Sequence, residues 1–203
     1  MTDTIDCYYW ISSDWAYFGN PRMKALADRY GLPIRYRPID LATVYQRTGG
    51  IPLRYRSRER RAYRFVEMRR FSERLGMPIV LEPRHPPADG RLPSFMVIAA
   101  AETGADVYAL NHAIMVALWV EDRDIEDPAV LAEIATQQGF DGPALLEAAR
   151  RPAAEASYAV FTDEAIDRGV WGAPFYFFRD EPFWGQDRLD MLAEAVAAVR
   201  QPV

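Results

Sequence analysis

The distribution of strand-forming residues constrains the fold of this chain more than any other feature. Segments rich in aromatic and β-branched residues occur at residues 5–11 and 34–39 and again at Phe175–Phe178. Residues 95–168 carry no convincing strand pattern and instead show apolar side chains at helical spacing. One sheet must therefore form from two parts of the chain about 130 residues apart, which is feasible because loop-closure entropy grows only logarithmically with length.

The start of the chain predicts strand, helix, strand. Ser12, Ser13 and Asp14 follow the first strand and provide side chains suited to an N-cap. A helix is predicted over 15–30, and Gly31 is a stop signal before the second strand.

The end of the chain predicts strand, strand, helix. Phe175–Phe178 is followed by a predicted turn over 179–182, and Phe183 and Trp184 then begin a second strand. An amphipathic helix is predicted over 187–199.

The segment between these ends predicts a succession of helices. Apolar residues recur with a helical period over Arg58–Leu75. Further helical segments follow, separated by short breaks with Gly, Pro or Asp, at 94–103, 105–120, 128–138, 142–150 and 153–168.

This order of elements predicts an α/β protein with a thioredoxin fold (βαβ … ββα) and an all-helical domain inserted between its two halves. We expect residues 1–50 and 165–203 to form the thioredoxin-like domain and residues 51–164 to form the helical insertion domain.

Composition narrows the class of protein. The net charge of −5 argues against nucleic-acid binding, and the longest apolar stretches are too short to span a bilayer. Cys7 is the single cysteine, so a disulfide within the chain is impossible, and its position in a strand predicts a small core residue. His85 and His112 lack metal-ligand spacing, so no metal is expected. Without a recognisable signal peptide, we expect a cytoplasmic protein with no membrane partner.

The junction between the first strand and the first helix holds the first candidate site. In redox-active thioredoxin-fold proteins this junction carries Cys-x-x-Cys, whereas here Ser13 and Ala16 occupy the two cysteine positions, which excludes dithiol chemistry. A helix N-terminus still offers unpaired N–H groups and a partial positive charge that stabilise an anion and lower the pKa of a thiol. Ser13 either donates a hydrogen bond to a thiolate from a ligand or serves only as the helix cap.

Two further candidate sites lie near the C-terminus. Pro174 precedes a strand, and in thioredoxin-like folds this proline is cis, which opens the backbone of Ala173 to a peptide ligand; the alternative is an ordinary trans proline at a strand edge. Gln186 and Asp187 open the last helix, where they either satisfy helix N–H groups or hold the charged ends of a ligand.

Together, these motifs resemble those of the 2-hydroxychromene-2-carboxylate isomerases, relatives of the kappa-class glutathione transferases. Family members carry Ser-Pro-x-Ser-Tyr-x-Ala after the first strand, where residues 13–19 read SDWAYFG. Their Gly-Val-x-Gly-Val-Pro and Phe-Trp-Gly-x-Asp-Arg-Leu motifs correspond to GVWGAP at 169–174 and FWGQDRL at 183–189. The chain departs from the family at Asp14, where a proline is usual.

The resemblance implies glutathione as the cofactor and a small aromatic molecule, an unsaturated aromatic pyruvate, as the substrate. Ser13 would be catalytic, acting on the glutathione thiol. The implied glutathione-binding residues are Arg60, which stands where a lysine is common, together with Ala173, Pro174, Trp184, Gln186 and Asp187. Trp10, Trp15 and Tyr17 are candidates for an aromatic substrate pocket, with core packing as the alternative for each.

The resemblance further implies reversible addition of the glutathione thiolate to the substrate, so that the enzyme is a cis-trans isomerase, and assembly as a homodimer. Two alternatives remain open from the sequence. One is a kappa-like glutathione transferase that conjugates an electrophile, and the other is a non-catalytic thioredoxin-fold protein that binds a peptide.

Overall fold

A four-stranded mixed sheet with strand order β2-β1-β3-β4 lies at the centre of the computed structural model. The central strand β1 (Ile5–Tyr9) pairs in parallel with β2 (Ile34–Pro38) and antiparallel with β3 (Phe175–Phe178). The edge strand β4 (Glu181–Trp184) pairs antiparallel with β3. The two ends of the chain therefore build one sheet, as predicted.

The structure describes residues 3–85 and 89–203. Its helices, in chain order, are α1 (Asp14–Arg29), α2 (Leu41–Thr48), α3 (Arg58–Leu75), α4 (Arg91–Glu102), α5 (Tyr108–Trp119), α6 (Pro128–Gln137), α7 (Gly142–Ala149), α8 (Pro152–Asp167) and α9 (Leu189–Ala197). Short 3-10 turns cover Leu53–Tyr55 and Gln186–Arg188. This order confirms the predicted thioredoxin fold with a helical insertion. Within the described ranges, no helix is long and apolar enough to cross a membrane.

Helix α2 was not predicted from the sequence. Asp40 caps it by accepting hydrogen bonds from the N–H groups of Ala42 and Thr43, and Gly49 ends it in the left-handed conformation. The helix has eight residues, and Val44 is its one fully buried side chain. So short an element with so little burial leaves no clear apolar period to detect.

The start of β4 differs from its prediction. The strand begins at Glu181, so the prediction that it begins with Phe183 and Trp184 was wrong, and Trp184 is instead its last residue. Pro182 suggested a turn, but a proline is tolerated in an edge strand, where its missing N–H faces away from the ladder. The actual turn is tight because Arg179 adopts a positive φ of 55°.

The sheet is covered on both faces. Because side chains alternate along a strand, Ile5, Cys7 and Tyr9 face the larger core, which includes α1 and α5, while Tyr8 faces a second cluster that includes Phe177. Cys7 is 4% exposed, which confirms it as a core residue.

Helix α8 connects the helical part of the chain to the sheet. It contacts α4 and α7 of the helical part and also β2 and α2. The predicted domain boundary between residues 164 and 165 falls inside this helix, and the division into two domains stays a prediction.

Candidate active site

Ser13 caps α1 at the junction with β1. Its Oγ accepts a hydrogen bond from the Ala16 N–H at 3.2 Å, and its own N–H donates to the Trp10 carbonyl at 3.0 Å. The cap uses a lone pair of Oγ and leaves the hydroxyl hydrogen free to donate to a ligand. The capping role and the ligand-binding role of Ser13 are therefore compatible.

A cleft opens beside Ser13 and has two lobes. The first lobe, about 290 Å³, lies between the start of α1, the segment around α2 and the first half of α3. The second lobe, about 240 Å³, lies between α3 and the segment that leads from β4 into α9. Trp15 and Ala173 line both lobes, so the two lobes adjoin at these residues.

The Ala173–Pro174 peptide bond is cis, which decides between the cis and trans alternatives that the sequence left open. The Pro174 carbonyl accepts a hydrogen bond from the Gly185 N–H at 3.0 Å, which ties this segment to the end of β4. Gly172 is required by close packing, since a Cβ there would lie 2.7 Å from Nε1 of Trp184. This packing leaves Trp184 half-exposed at the rim of the second lobe.

Gln186 and Asp187 line the second lobe but differ in environment. Gln186 is buried, and its backbone carbonyl and Oε1 accept from Nη1 of Arg22 at 2.9 and 2.8 Å. The side chain of Asp187 is about half-exposed, and its Oδ2 accepts from Arg188 at 2.7 Å. Asp187 therefore keeps a solvent-facing carboxylate that a ligand cation can reach.

A buried ion pair lies in the wall of the first lobe, and it was not predicted. Nη2 of Arg64 lies 3.0 Å from Oδ2 of Asp14, with side-chain exposures of 15% and 6%. Burial raises the pKa of Asp14, and the nearby Arg64 charge and the Trp15 N–H oppose that rise. One signal was available, since Arg64 follows Arg60 by one helical turn and shares its face of α3.

The structure brings most of the predicted residues to the cleft: Ser13, Trp10, Trp15, Ala173, Trp184, Gln186 and Asp187 line one or both lobes. Pro174 follows Ala173 in the chain and lines neither lobe. Tyr17 is placed elsewhere: it is 2% exposed, its hydroxyl donates to the Pro78 carbonyl at 2.8 Å, and its ring stacks on His112. For Tyr17 the structure supports core packing.

Arg60 also lies outside the residues that line the two lobes. It is exposed near the start of α3, and its N–H donates to Oγ of Ser57 at 3.3 Å. The arginines that do line the first lobe, none of them proposed from the sequence, are Arg54, Arg56 and Arg64.

The described residues contain no group of three or more His, Cys, Asp and Glu side chains arranged to hold a metal ion.

Comparison with known proteins shows the family to which this chain belongs. A profile of the DSBA-like thioredoxin domain matches residues 4–197. The 2-hydroxychromene-2-carboxylate isomerase of Sphingobium xenophagum is 31% identical over 193 residues, which cover 95% of this chain and 97% of the relative. The chain belongs to the 2-hydroxychromene-2-carboxylate isomerase family. A protein of the same name from Pseudomonas putida is also 31% identical, over 95% of this chain and 93% of its own.

Solved structures agree with this assignment. A 2-hydroxychromene-2-carboxylate isomerase superposes with a TM-score of 0.82 at 30% identity, covering 97% of this chain and 95% of that one. A probable DsbA oxidoreductase from Streptomyces coelicolor superposes with a TM-score of 0.77 at 18% identity, over 99% and 92% of the two chains, and shows the shared fold. The isomerase relatives support an isomerase activity for this member of the family.

Proposed function

We propose that this protein is a glutathione-dependent cis-trans isomerase of the 2-hydroxychromene-2-carboxylate type. The observation that carries the proposal is Ser13, whose Oγ caps α1 as an acceptor in the lining of the cleft and, among the described residues, donates to no protein acceptor. When bound, glutathione would supply a thiolate that adds reversibly to an unsaturated carbon of the substrate, so that the neighbouring bond can rotate.

The residues of the cleft fit glutathione in an extended arrangement. Ser13 and the N-terminus of α1 would hold the thiolate. Ala173, which lines both lobes, would hold the cysteinyl backbone. Gln186 and the half-exposed Asp187 would hold the γ-glutamyl group, with the Asp187 carboxylate facing the ammonium.

The first lobe fits a small aromatic substrate beside the thiol. Trp10 and Trp15 contribute two indole rings to its wall. The Trp10 Nε1–H donates to the Asp89 carbonyl at 2.8 Å, and the Trp15 ring packs edge-on against Phe71 at 5.7 Å, so both rings are held in place. An unsaturated aromatic pyruvate is the substrate we propose for this lobe.

Product analysis tests the proposal. The protein is incubated with 2-hydroxychromene-2-carboxylate, with and without glutathione. We expect isomer to form only in the presence of glutathione, and all of the glutathione to be recovered unchanged. Consumption of glutathione with a stable adduct would identify a transferase instead, and absence of turnover would reject the enzymatic proposal.

Cytoplasmic location and a homodimer complete the proposal. A reducing compartment keeps glutathione in its thiol form, and the single, buried Cys7 needs no oxidising environment. Light scattering should give twice the chain mass of 23.2 kDa at micromolar concentration, whereas a monomer mass would contradict the dimer.

A further inference from the structure

We propose that Arg64 is a specificity-determining residue that binds the carboxylate of an aromatic carboxylate ligand in the first lobe, and that Asp14 is the positioning residue that holds its guanidinium. The inference rests on the proposed function for the identity of the neighbouring glutathione site. Its own evidence comes from the first lobe and does not depend on the role of Ser13.

The Asp14–Arg64 ion pair lies in the wall of the first lobe. Asp14 is the first residue of α1, and Arg64 lies in the second turn of α3, so the contact of 3.0 Å spans the wall of the lobe. A buried ion pair adds little stability compared with apolar packing, because desolvation offsets the attraction of the charges. Its presence in the wall of a cleft favours a role in recognition.

Arg64 keeps guanidinium N–H donors that are available to a ligand. A guanidinium carries five N–H donors. Among the described residues, Asp14 is the one carboxylate that pairs with Arg64; its Oδ2 lies 3.0 Å from Nη2, which makes an ion pair without the geometry of a hydrogen bond. The rings of Phe65 and Trp119, with centroids 5.8 and 5.9 Å from the guanidinium carbon, lie beside the group. The other donors can therefore pair with a ligand carboxylate.

The lining of the first lobe carries charged side chains of both signs. Three arginines line it: Arg54, Arg56 and Arg64. Two further carboxylates in the lining are already engaged: Asp40 accepts from the first N–H groups of α2, and Asp89 accepts from the main-chain N–H of the residue two positions on. With Asp14, these carboxylates balance the formal charge of the three arginines, so a preference for an anion would come from the N–H groups of Arg64 and not from the net charge of the lobe.

The first lobe also offers flat aromatic surface to the apolar part of a ligand. The indole rings of Trp10 and Trp15 line the same lobe as Arg64 and are fixed by the contacts described above. Flat rings and a guanidinium in one lobe match an aromatic ring that carries a carboxylate.

Binding of two matched probes tests this inference. Protein saturated with S-methylglutathione is titrated calorimetrically with trans-cinnamate and with cinnamamide, which has the same shape without the charge. We expect the wild type to prefer cinnamate roughly ten- to a hundredfold. The double variant Arg64→Met with Asp14→Asn removes both charges, so that neither is left buried alone, and it should bind the two probes equally.

Two further variants complete the design. Arg69→Met removes an exposed arginine of the same helix that does not line the cleft, and it should keep the full preference. Arg64→Lys keeps the charge but loses the planar fork, so it should show a reduced preference. If circular dichroism shows that the double variant is unfolded, this lysine variant decides.

The outcomes separate the two proposals. A preference for cinnamate that survives in the double variant, or that is absent from the wild type, would overturn the role of Arg64. Equal weakening of cinnamate and S-methylglutathione would assign Arg64 to the tripeptide and overturn it as well. If the wild type does not bind S-methylglutathione, the proposed function fails, and the same comparison without S-methylglutathione still decides the role of Arg64.

Discussion

Nη2 of Arg64 lies 3.0 Å from Oδ2 of Asp14, and this contact joins the first turn of α1 to the second turn of α3. Both side chains are largely buried, so each charge depends on the other. The pair therefore helps to hold α1 against α3, in addition to its proposed role in binding.

Replacing Arg64 alone should destabilise the protein. Arg64→Met leaves the Asp14 carboxylate buried without its partner, which typically costs about 3–5 kcal/mol. The double variant with Asp14→Asn should regain most of this loss, because the uncompensated charge is gone. Urea unfolding of the wild type, both single variants and the double variant measures the coupling; additive losses would show that the two side chains do not interact.

Asp6 should make the stability of the protein sensitive to acid. Its carboxylate on β1 is bonded by Arg35 on β2 and, at 2.8 Å, by Arg168 after α8. Burial raises the pKa of Asp6, but these two arginines outweigh burial and hold it below its usual value. The stabilisation is therefore present above the pKa of the unfolded chain, near 4, and is lost as the pH falls through the lower pKa of the folded state.

Asp6→Asn should accordingly be less stable than the wild type at pH 7, and the difference should shrink as the pH falls below about 4. Urea unfolding at pH 7, 4 and 3 measures it. Asp180→Asn, in the exposed turn between β3 and β4, is the matched control and should not show the effect. A difference between Asp6→Asn and the wild type that is constant across this range would contradict the account.

Asp187 should recognise the γ-glutamyl ammonium. Asp187→Asn keeps the shape of the side chain but removes its charge. A charge-assisted hydrogen bond is worth about 1.5–3 kcal/mol, and because Asp187 is half-exposed we expect the lower end, a loss of roughly tenfold in glutathione affinity. Calorimetry with glutathione and with an analogue lacking the amino group measures both effects.

The analogue should bind Asp187→Asn and the wild type alike. Glu194→Gln, an exposed change on α9 outside the cleft, serves as the control for a general loss of negative charge. If Asp187→Asn weakens both ligands equally, Asp187 only shapes the start of α9, and this end of the proposed site is wrong.

The sequence was most informative where local residue patterns decide the structure. The bounds of α3 and β3 match their predictions residue for residue, because each has a clear period or a run of aromatic residues between breaks. The start of β4 was mispredicted because Pro182 signals a turn locally, while its tolerance depends on an edge position that only the assembled sheet defines.

The candidate site likewise combines residues that local motifs place with residues that helix packing places. Ser13, Ala173 and Asp187 lie at junctions between elements, where short motifs fix the backbone, and all three reach the cleft. Tyr17 and Arg64 lie within helices, so whether they reach the cleft depends on how each helix packs. The burial of Tyr17 and the contact of α3 with Asp14 are tertiary properties, and the spacing of Arg64 from Arg60 was the one local signal for them.

The pKa of the glutathione thiol in the complex reports the proposed role of Ser13. Thiolate absorbance is titrated against pH in complexes of the wild type and Ser13→Ala. In Ser13→Ala, the loss of one charge-assisted hydrogen bond, about 1.5–3 kcal/mol, should raise the thiol pKa of the bound ligand by roughly one to two units towards its free value near 8.5. Identical titration curves for the two proteins would contradict a thiolate-stabilising role and leave Ser13 as the cap of α1 alone.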